Sequence, residues 1–205
     1  MSISAVKVKE LREKTGAGFM DCKAALVETD GDAEKAVDFL RKKGLSAAGK
    51  RSDRAASEGV VGSYIHMGGK IGVLLEINCE TDFVARTDDF QELVADLAMQ
   101  VAAASPLYVR RDEVPSELLD KEREIYKAQA LESGKPEKVV DRIVDGKIDK
   151  FLQQICLEDQ EFIKESGTIV LDIVKGVAAK LGENVQIGRF ARFAVGEGKE
   201  ESKSC

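Results

Sequence analysis

The chain has 205 residues, of which 43% are hydrophobic and 33% charged, enough apolar residues for a core and enough charge for solubility. Its 37 Asp and Glu residues exceed its 31 Lys and Arg residues, and the net charge of −6 disfavours direct binding to nucleic acid, whose phosphates attract positive charge. Trp is absent and aromatic residues make up 5% of the chain, which argues against a surface that stacks bases.

The first segment, residues 1–51, is typical of a small domain of three helices. Gly16-Ala17-Gly18 separates the first helix from the second, which begins at Phe19. The third helix has Asp32 as its N-cap, and we expect Gly44 to end it. So short a segment buries only a small core, which gives limited stability by itself.

A change of pattern follows a polar linker, which we place at residues 52–57. Residues 59–67 predict a strand, and Gly68-Gly69 predicts a two-residue hairpin turn because glycine tolerates the positive φ that such turns require. Residues 71–78 have the clearest alternation of side chains in the chain, which indicates a second strand with one buried face.

Helical patterns dominate the middle of the chain. An amphipathic helix begins near Thr87 or Asp88 and is closed by Pro106. Residues 115–157 contain two charged helices separated by a break at Ser133-Gly134-Lys135-Pro136. This arrangement predicts a projecting antiparallel helical hairpin with an apolar seam.

The last predicted elements are a helix that ends at Gly182 and a strand over residues 184–195, whose alternation changes phase near Gly188. A strand hairpin, a distant third strand and covering helices indicate an α+β fold with a small antiparallel sheet, not a doubly wound parallel sheet. We assign residues 58–198 to this α+β core, and we expect residues 199–205 to be a disordered tail.

The cysteines and the single histidine predict neither a metal site nor a disulfide framework. The four cysteines are far apart in sequence, and His66 has no ligand or nucleophile at a recognisable spacing. No apolar run approaches the roughly 20 residues of a membrane helix, and the first residues lack the pattern of a secretory leader. We therefore predict a cytoplasmic protein with mostly reduced thiols and no cofactor.

The segment Glu80–Arg86 departs from the local pattern, because Phe83 and Val84 are apolar residues in a polar loop. Phe83 either folds back as a lid on the core or is exposed and awaits a pocket on a partner. Exposure forgoes about 1.5–3 kcal/mol of burial, and an aromatic anchor concentrates binding energy at an interface. Asp82 would bring a carboxylate that competes for a cation or for N–H groups that hold a phosphate.

Three stretches resemble bacterial translation elongation factor Ts. Residues 11–26 (LREKTGAGFMDCKAAL) are similar to its N-terminal signature, residues 76–86 (EINCETDFVAR) to its second signature, and residues 192–198 (RFAVGEG) to its ending. The likeness covers nearly the whole chain and keeps the order of the segments. On this resemblance the chain is identified as a member of that family.

The resemblance implies a guanine nucleotide exchange factor for elongation factor Tu, which makes and breaks no bond. It implies an N-terminal domain like ubiquitin-associated domains, which docks on the GTPase through the first signature: Phe19, Met20, Asp21 and Cys22. It also implies a loop that disturbs the magnesium and phosphate site so that GDP leaves and GTP loads: Thr81, Asp82, Phe83 and Val84. In that loop Phe83 would be the wedge.

The resemblance also implies a homodimer. Longer family members carry two copies of the sheet-and-helix unit, whereas this chain has room for one, and a second protomer would supply the missing half through residues 58–198. The three-stranded sheet has two edges, and pairing of two protomers at these edges or face to face would cover them. An intersubunit disulfide through Cys205 is a further expectation under oxidising conditions.

Two other classes of function stay open. The chain could be a passive adaptor that binds a partner through the N-terminal helices and otherwise only dimerises. It could also be an enzyme, which would need a convergent polar pocket around His66. The loop at residues 81–84 separates an exchange factor from an adaptor, because only an exchange factor needs it for GDP release.

Overall fold

The computed structural model describes residues 3–49 and 51–197, and over those residues the chain forms eight α-helices and a sheet of three strands. The strands are antiparallel, which confirms the α+β class. The tail at residues 199–205, together with Cys205 and its expected disulfide, lies outside the described residues.

The described N-terminal residues form the helices that the sequence predicted: α1 (Ala5–Thr15), α2 (Phe19–Glu28) and α3 (Ala33–Gly49). Gly16 ends α1 with a φ of 68°, in the left-handed region that favours glycine. Asp32 caps α3, because its Oδ1 accepts hydrogen bonds at 3.1 Å from the backbone N–H groups of Glu34 and Lys35. A small buried core joins these helices: Val8, Leu11, Cys22, Ala25, Leu26, Ala36 and Leu40.

The sheet combines a hairpin with a distant strand: β1 (Glu58–Ile65), β2 (Ile71–Cys79) and β3 (Val185–Ala194), in the order β1-β2-β3. The hairpin turn lies at Gly68-Gly69 as predicted, and both glycines have positive φ. Its predicted length of two residues is wrong, because His66 N–H donates to the Ile71 carbonyl at 2.9 Å and this pair encloses residues 67–70. Along β3 the alternation of burial changes phase after Ile187, as expected near Gly188. The buried face of β2 carries the residues that its alternation indicated: Val73, Leu75 and Ile77.

Two helices follow β2, a short α4 (Asp82–Ala85) and a long amphipathic α5 (Asp88–Ala104). Thr87 caps α5 as predicted, and its hydroxyl accepts a hydrogen bond from the helix backbone at 3.4 Å. Helix α5 lies so close to the sheet that Gly62 of β1 has no room for a Cβ beside Val94. One face of the sheet is therefore covered by α5.

The charged helical hairpin is confirmed as α6 (Ser116–Glu132) and α7 (Glu137–Ile155). Arg111, just before α6, donates to Asp149 at 2.8 Å and to Asp159 at 3.0 Å, which ties the start of the hairpin to its end. The apolar seam is buried between the two helices and their flanking residues: Val114, Ala130, Val140, Val144, Ile148, Leu152, Ile155 and Cys156.

The prediction that Gly44 ends the third helix is wrong, since α3 continues to Gly49. Gly44 instead faces α8 (Val170–Leu181), where its missing side chain makes room for Ala179. A glycine inside a helix costs about 0.5–1 kcal/mol relative to alanine. Here the close approach of two helices requires it.

The chain divides into two compact units. The first contains the N-terminal helices, α4 and most of α8: residues up to Gly59, Asn78–Gln91 and Asp172–Gln186. The second contains most of the sheet and the helical hairpin: Val60–Ile77, Glu92–Leu171 and the residues from Ile187 onwards. Within residues 3–49 and 51–197, no helix combines the length and the apolar character needed to cross a membrane.

Candidate functional site

Helix α4 begins at Thr81, which acts as its N-cap. The Thr81 backbone is extended (φ −132°, ψ 153°), and its Oγ1 accepts a hydrogen bond from Val84 N–H at 3.4 Å. The hydroxyl thereby satisfies a donor that the first turn of a helix leaves without a partner. The expectation of an irregular loop over residues 81–86 is corrected to a capped helical turn.

Phe83 points into solvent from this turn, and 84% of its surface is exposed. Val84 is half-buried and Ala85 is buried. Because residues two apart in a helix lie about 200° apart around its axis, a helix that turns Ala85 inward turns Phe83 outward. The interpretation of Phe83 as a lid on the core is therefore wrong.

Asp82 lies beside Phe83 and is also exposed. Its Oδ2 accepts a hydrogen bond from Arg86 at 2.8 Å, four residues further along the chain. Exposed ion pairs of this kind contribute little to stability, at most about 1 kcal/mol. The carboxylate can therefore exchange Arg86 for another cation or donor at low cost.

Glu183, in the connection between α8 and β3, holds the backbone around the Thr81 cap. Its Oε2 accepts hydrogen bonds from the N–H groups of Glu80 at 3.1 Å and Thr81 at 3.0 Å. Its Oε1 accepts the Thr81 hydroxyl at 2.6 Å. Glu183 was not predicted from the sequence, because it lies 102 positions from Thr81 and no local pattern marks the pairing.

Glu80 makes the reciprocal contact. Its Oε1 accepts a hydrogen bond from Asn184 N–H at 2.6 Å, and Arg54 lies 3.4 Å away. The buried Asn184 side chain donates to the carbonyl oxygens of Ser52 at 3.1 Å and Arg54 at 2.7 Å. We call Glu80, Glu183 and the backbone groups that they bind the carboxylate frame. Asn184 thereby also holds Ser52 and Arg54, which belong to the predicted linker.

Further hydrogen bonds hold the end of α4 and the residue before its cap. The Thr87 hydroxyl donates to the Val84 carbonyl at 2.7 Å, and the Gln91 amide donates to the Ala85 carbonyl at 2.6 Å. The Cys79 thiol donates to the Thr81 carbonyl at 3.1 Å. Burial, reinforced by the charge of Glu183, raises the pKa of the Cys79 thiol, so it remains a protonated donor.

The first signature lies at the start of α2 and presents two exposed apolar side chains. Met20 is 71% exposed and Phe19 is 46% exposed. Asp21 forms an ion pair with Lys43 of α3 at 2.8 Å. Cys22 is fully buried, so the expectation that it touches a partner is corrected: its side chain faces the helical core rather than the surface.

Within the first unit, helix α8 contacts one residue near each candidate segment. Lys180 forms an ion pair with Asp89, at the start of α5, at 2.6 Å. The stem of the same side chain lies against Gly16, just before α2, where an added Cβ would be 2.8 Å from the Lys180 Cε. One side chain of α8 therefore contacts both Gly16 and Asp89.

The described residues give no support for a metal site, and they place His66 at the surface. Over the described parts of the chain, no group of His, Cys, Asp and Glu side chains is placed to hold a metal ion. His66 is exposed near the hairpin turn, where its Nδ1 lies 3.0 Å from the Tyr64 hydroxyl. An enzyme built around His66 therefore gains no support from its position.

A second exposed apolar surface lies on the face of the sheet opposite α5, and we call it the open sheet face. All three strands contribute to it: Val61, Ile65, Leu74 and Phe193, with Val195 just beyond β3. A shallow groove runs along it, with Ile65, Leu74, Phe193 and Val195 among its lining residues. Sequence alternation indicated this face, but it did not show that apolar residues from all strands gather there.

Comparison with known proteins identifies relatives of the whole chain. The family model described as "Elongation factor TS" matches residues 46–197. The chain is 59% identical over 204 residues to a protein named elongation factor Ts from Geobacter sulfurreducens, covering 100% of this chain and 94% of that protein. It is 59% identical over 203 residues to the protein of that name from Syntrophomonas wolfei, covering 99% and 94% respectively. It is 60% identical over 201 residues to a protein of that name from an Anaeromyxobacter species, covering 98% of this chain and 92% of that protein.

Proposed function

The chain belongs to the elongation factor Ts family of translation elongation factors, and from this membership we propose that it is the guanine nucleotide exchange factor of elongation factor Tu. In this role it binds the GTPase, promotes release of GDP and allows GTP to load during protein synthesis. The observation that carries the proposal is the exposed ring of Phe83 on a helical turn whose ends are both held by hydrogen bonds.

Phe83 acts as the wedge in this mechanism. Its ring enters a pocket of the GTPase near the bound magnesium and phosphates, and burial of the ring contributes about 1.5–3 kcal/mol. Asp82 brings its carboxylate to the same place, while Thr81 and Val84 complete the contacting segment. Because the ring is already outward and its support is already ordered, little conformational entropy is lost on binding.

The exchange follows from a difference in affinity. A factor that binds the nucleotide-free GTPase better than the GDP-bound form lowers the affinity for GDP, about tenfold for every 1.4 kcal/mol of difference. The coupling is reciprocal, so a returning nucleotide displaces the factor. The protein makes and breaks no bond and is not an enzyme in the usual sense, and its role places it in the cytoplasm with the translation machinery.

The N-terminal helices provide the docking site in this proposal. They form a domain like ubiquitin-associated domains, and its exposed Phe19 and Met20 contact the GTPase together with Asp21. Cys22 supports this surface from the core.

We further propose that the protein is a homodimer that pairs through the open sheet face. Exposed apolar patches of this kind, rimmed by polar residues, are typical of protein interfaces. At one side of the patch Arg189 is already paired with Glu76 at 2.8 Å, which leaves no uncompensated charge from that pair. A two-fold axis would bring the same apolar residues of two copies together, the commonest symmetry of homo-oligomers.

Release of labelled GDP from elongation factor Tu tests the exchange proposal. Wild-type protein should accelerate release, and Phe83→Ala should reduce that acceleration by about tenfold or more, as expected for an aromatic hot spot. Leu107→Ala is the matched control, because Leu107 is also an exposed apolar residue but lies outside the proposed interface. If Phe83→Ala accelerates release as much as the wild type, the wedge role is wrong. Wild-type protein that binds the GTPase without accelerating release would favour the adaptor interpretation.

A further inference from the structure

We propose that Glu183 is a positioning residue for exchange, which fixes the direction in which Phe83 leaves the protein surface. The inference rests on the proposed function and adds to it a residue far from both signatures in sequence. Glu183 belongs to the α8–β3 connection, and its carboxylate binds the chain immediately before α4 through three donors.

Helix α4 cannot define its own orientation. It contains four residues, Asp82–Ala85, and a single turn of helix is unfavourable by itself because fixing its first backbone angles costs more than one hydrogen bond returns. The direction of Phe83 must therefore be set by the groups that anchor the turn. The anchors at its start are the Thr81 cap and Glu183 behind it.

Three features suit Glu183 to this task. A carboxylate only accepts hydrogen bonds, and the two N–H groups and the hydroxyl that face it can all donate. Hydrogen bonds to an ionised acceptor are about twice as strong as neutral ones. The Thr81 hydroxyl, held by Glu183 as a donor, presents its lone pairs to Val84 N–H, so the cap of α4 depends on Glu183.

The reciprocal contact makes the arrangement rigid. Glu80 binds Asn184 N–H while Glu183 binds Glu80 N–H, so each of the two neighbouring segments supplies a carboxylate to the backbone of the other. A single contact would leave a hinge, whereas two contacts in opposite directions resist rotation of one segment against the other. Phe83 lies three residues after Glu80, so the direction of its side chain depends on how this segment is held.

The test measures GDP release from elongation factor Tu over a range of concentrations of the full-length protein. Glu183→Ala should lower the maximum rate by about tenfold, because a Phe83 ring that is no longer held in one direction loses part of its differential binding, and about 1.4 kcal/mol corresponds to a factor of ten. The concentration that gives the half-maximal rate should change little, since docking through α2 is retained. Glu183→Gln should lie between wild type and Glu183→Ala, because the amide keeps one acceptor oxygen.

The matched control is Glu161→Gln. The Glu161 carboxylate also accepts a hydroxyl and a backbone N–H, from Ser166 and Gly167 at 2.7 Å each, but in the second unit. Its variant should leave the maximum rate unchanged. Thermal unfolding of each variant shows whether it is folded. If Glu183→Ala does not fold, the test uses Glu183→Gln.

A second readout is independent of exchange. Since the chain has no Trp, Phe83→Trp introduces a single tryptophan at the exposed position, and its fluorescence can be excited separately from that of the three tyrosines. Combining it with Glu183→Ala should lower the fluorescence anisotropy of the free protein, because the turn gains mobility, whereas Glu161→Gln should not. A general loss of structure would lower the thermal midpoint as well, but local release of the turn should leave it nearly unchanged.

The outcomes separate the two proposals. In the Phe83→Ala background Glu183→Ala should have no further effect on the rate, because the group that it positions is gone. An unchanged maximum rate for Glu183→Ala, with Phe83→Ala slow, overturns the positioning role and leaves the exchange function standing. A wild-type rate for Phe83→Ala overturns the wedge role of Phe83, whereas wild-type protein that does not accelerate GDP release overturns the exchange function itself.

Discussion

Gly44 and Ala179 lie in direct contact where α3 crosses α8, and a Cβ added to Gly44 would be 3.1 Å from the Cβ of Ala179. That distance is shorter than ordinary contact between carbon atoms, which lies at about 3.5–4.0 Å. The contact joins the N-terminal helices to the helix that also carries Lys180. Packing at a single glycine therefore supports the connection between the proposed docking surface and the α4 segment.

Replacing this glycine by a large residue should destabilise the contact. We expect Gly44→Leu to lower the free energy of unfolding by about 1–3 kcal/mol, since overpacking forces the helices apart. Gly146→Leu is the control, because Gly146 lies inside α7 with open space around it and a side chain there should raise helix stability slightly. Urea denaturation of both variants measures the effect. Equal stability of the two variants would contradict the packing role.

A charge on the open sheet face should separate the proposed homodimer. We expect Phe193→Asp to give a monomer of 22.3 kDa at micromolar concentration in sedimentation, because burying an unpaired carboxylate between two apolar faces is costly. Ile163→Asp, also an exposed apolar position, should leave the dimer intact. A wild-type protein that sediments as a monomer would refute the proposed pairing.

Phe83 and Phe193 should separate exchange from pairing. Phe83→Ala should slow GDP release and leave the sedimenting mass unchanged, whereas Phe193→Asp should change the mass. The two aromatic residues are both exposed, at 84% and 69%, and so offer comparable apolar surface. If either variant altered both properties equally, the two surfaces would not be independent, contrary to this assignment.

Cys156 should make stability depend on alkaline pH. Burial raises the pKa of its thiol to about 11, from an ordinary value of 9.0, and the nearby Asp159 adds to the shift. The unfolded chain therefore loses the proton at lower pH than the folded one, so stability is retained below pH 9 and falls as the pH rises toward 11. The free energy of unfolding, measured by urea at several pH values in this window, should fall less steeply in Cys156→Ala and Cys156→Ser. The same slope in all three proteins would contradict this attribution.

The buried Gln100 side chain should contribute strongly to the second unit. Its amide donates to Gln160 and to the Glu161 carbonyl at 3.2 Å each, and its oxygen accepts Ile163 N–H at 2.9 Å. Gln100→Leu leaves these buried partners unsatisfied and should cost about 1–3 kcal/mol of unfolding free energy. Gln153→Leu, at an exposed glutamine, should cost less than about 0.5 kcal/mol. Similar values for the two variants would show that the buried network contributes little.

The sequence predicted the helices and strands well where the signal was local. The capping residues Asp32 and Thr87 and the Gly68-Gly69 turn each act through neighbours within a few positions, and all three were identified. Gly44 was misinterpreted for the opposite reason. A glycine in a helical pattern indicates a helix end when judged by its neighbours alone, whereas the requirement for a small residue comes from Ala179, 135 positions away.

The candidate site shows the same division. Residues 76–86 were enough to single out Phe83, but not to decide whether its ring faced the core or solvent. That decision followed from Ala85, whose burial fixes the rotation of the short helix. Cys22 was placed on the docking surface by its position in a signature, and the packing of α2 against its neighbours turned it inward.

By itself, the sequence determined the family, the α+β composition and the segment that carries the exposed aromatic residue, because motifs, periodicity and caps act over short distances along the chain. Only the tertiary structure decided which way Phe83 points and that Glu80 and Glu183 hold its support. Hydrogen bonds between segments about 100 residues apart depend on the path of the folded chain, and no local pattern of residues records that path.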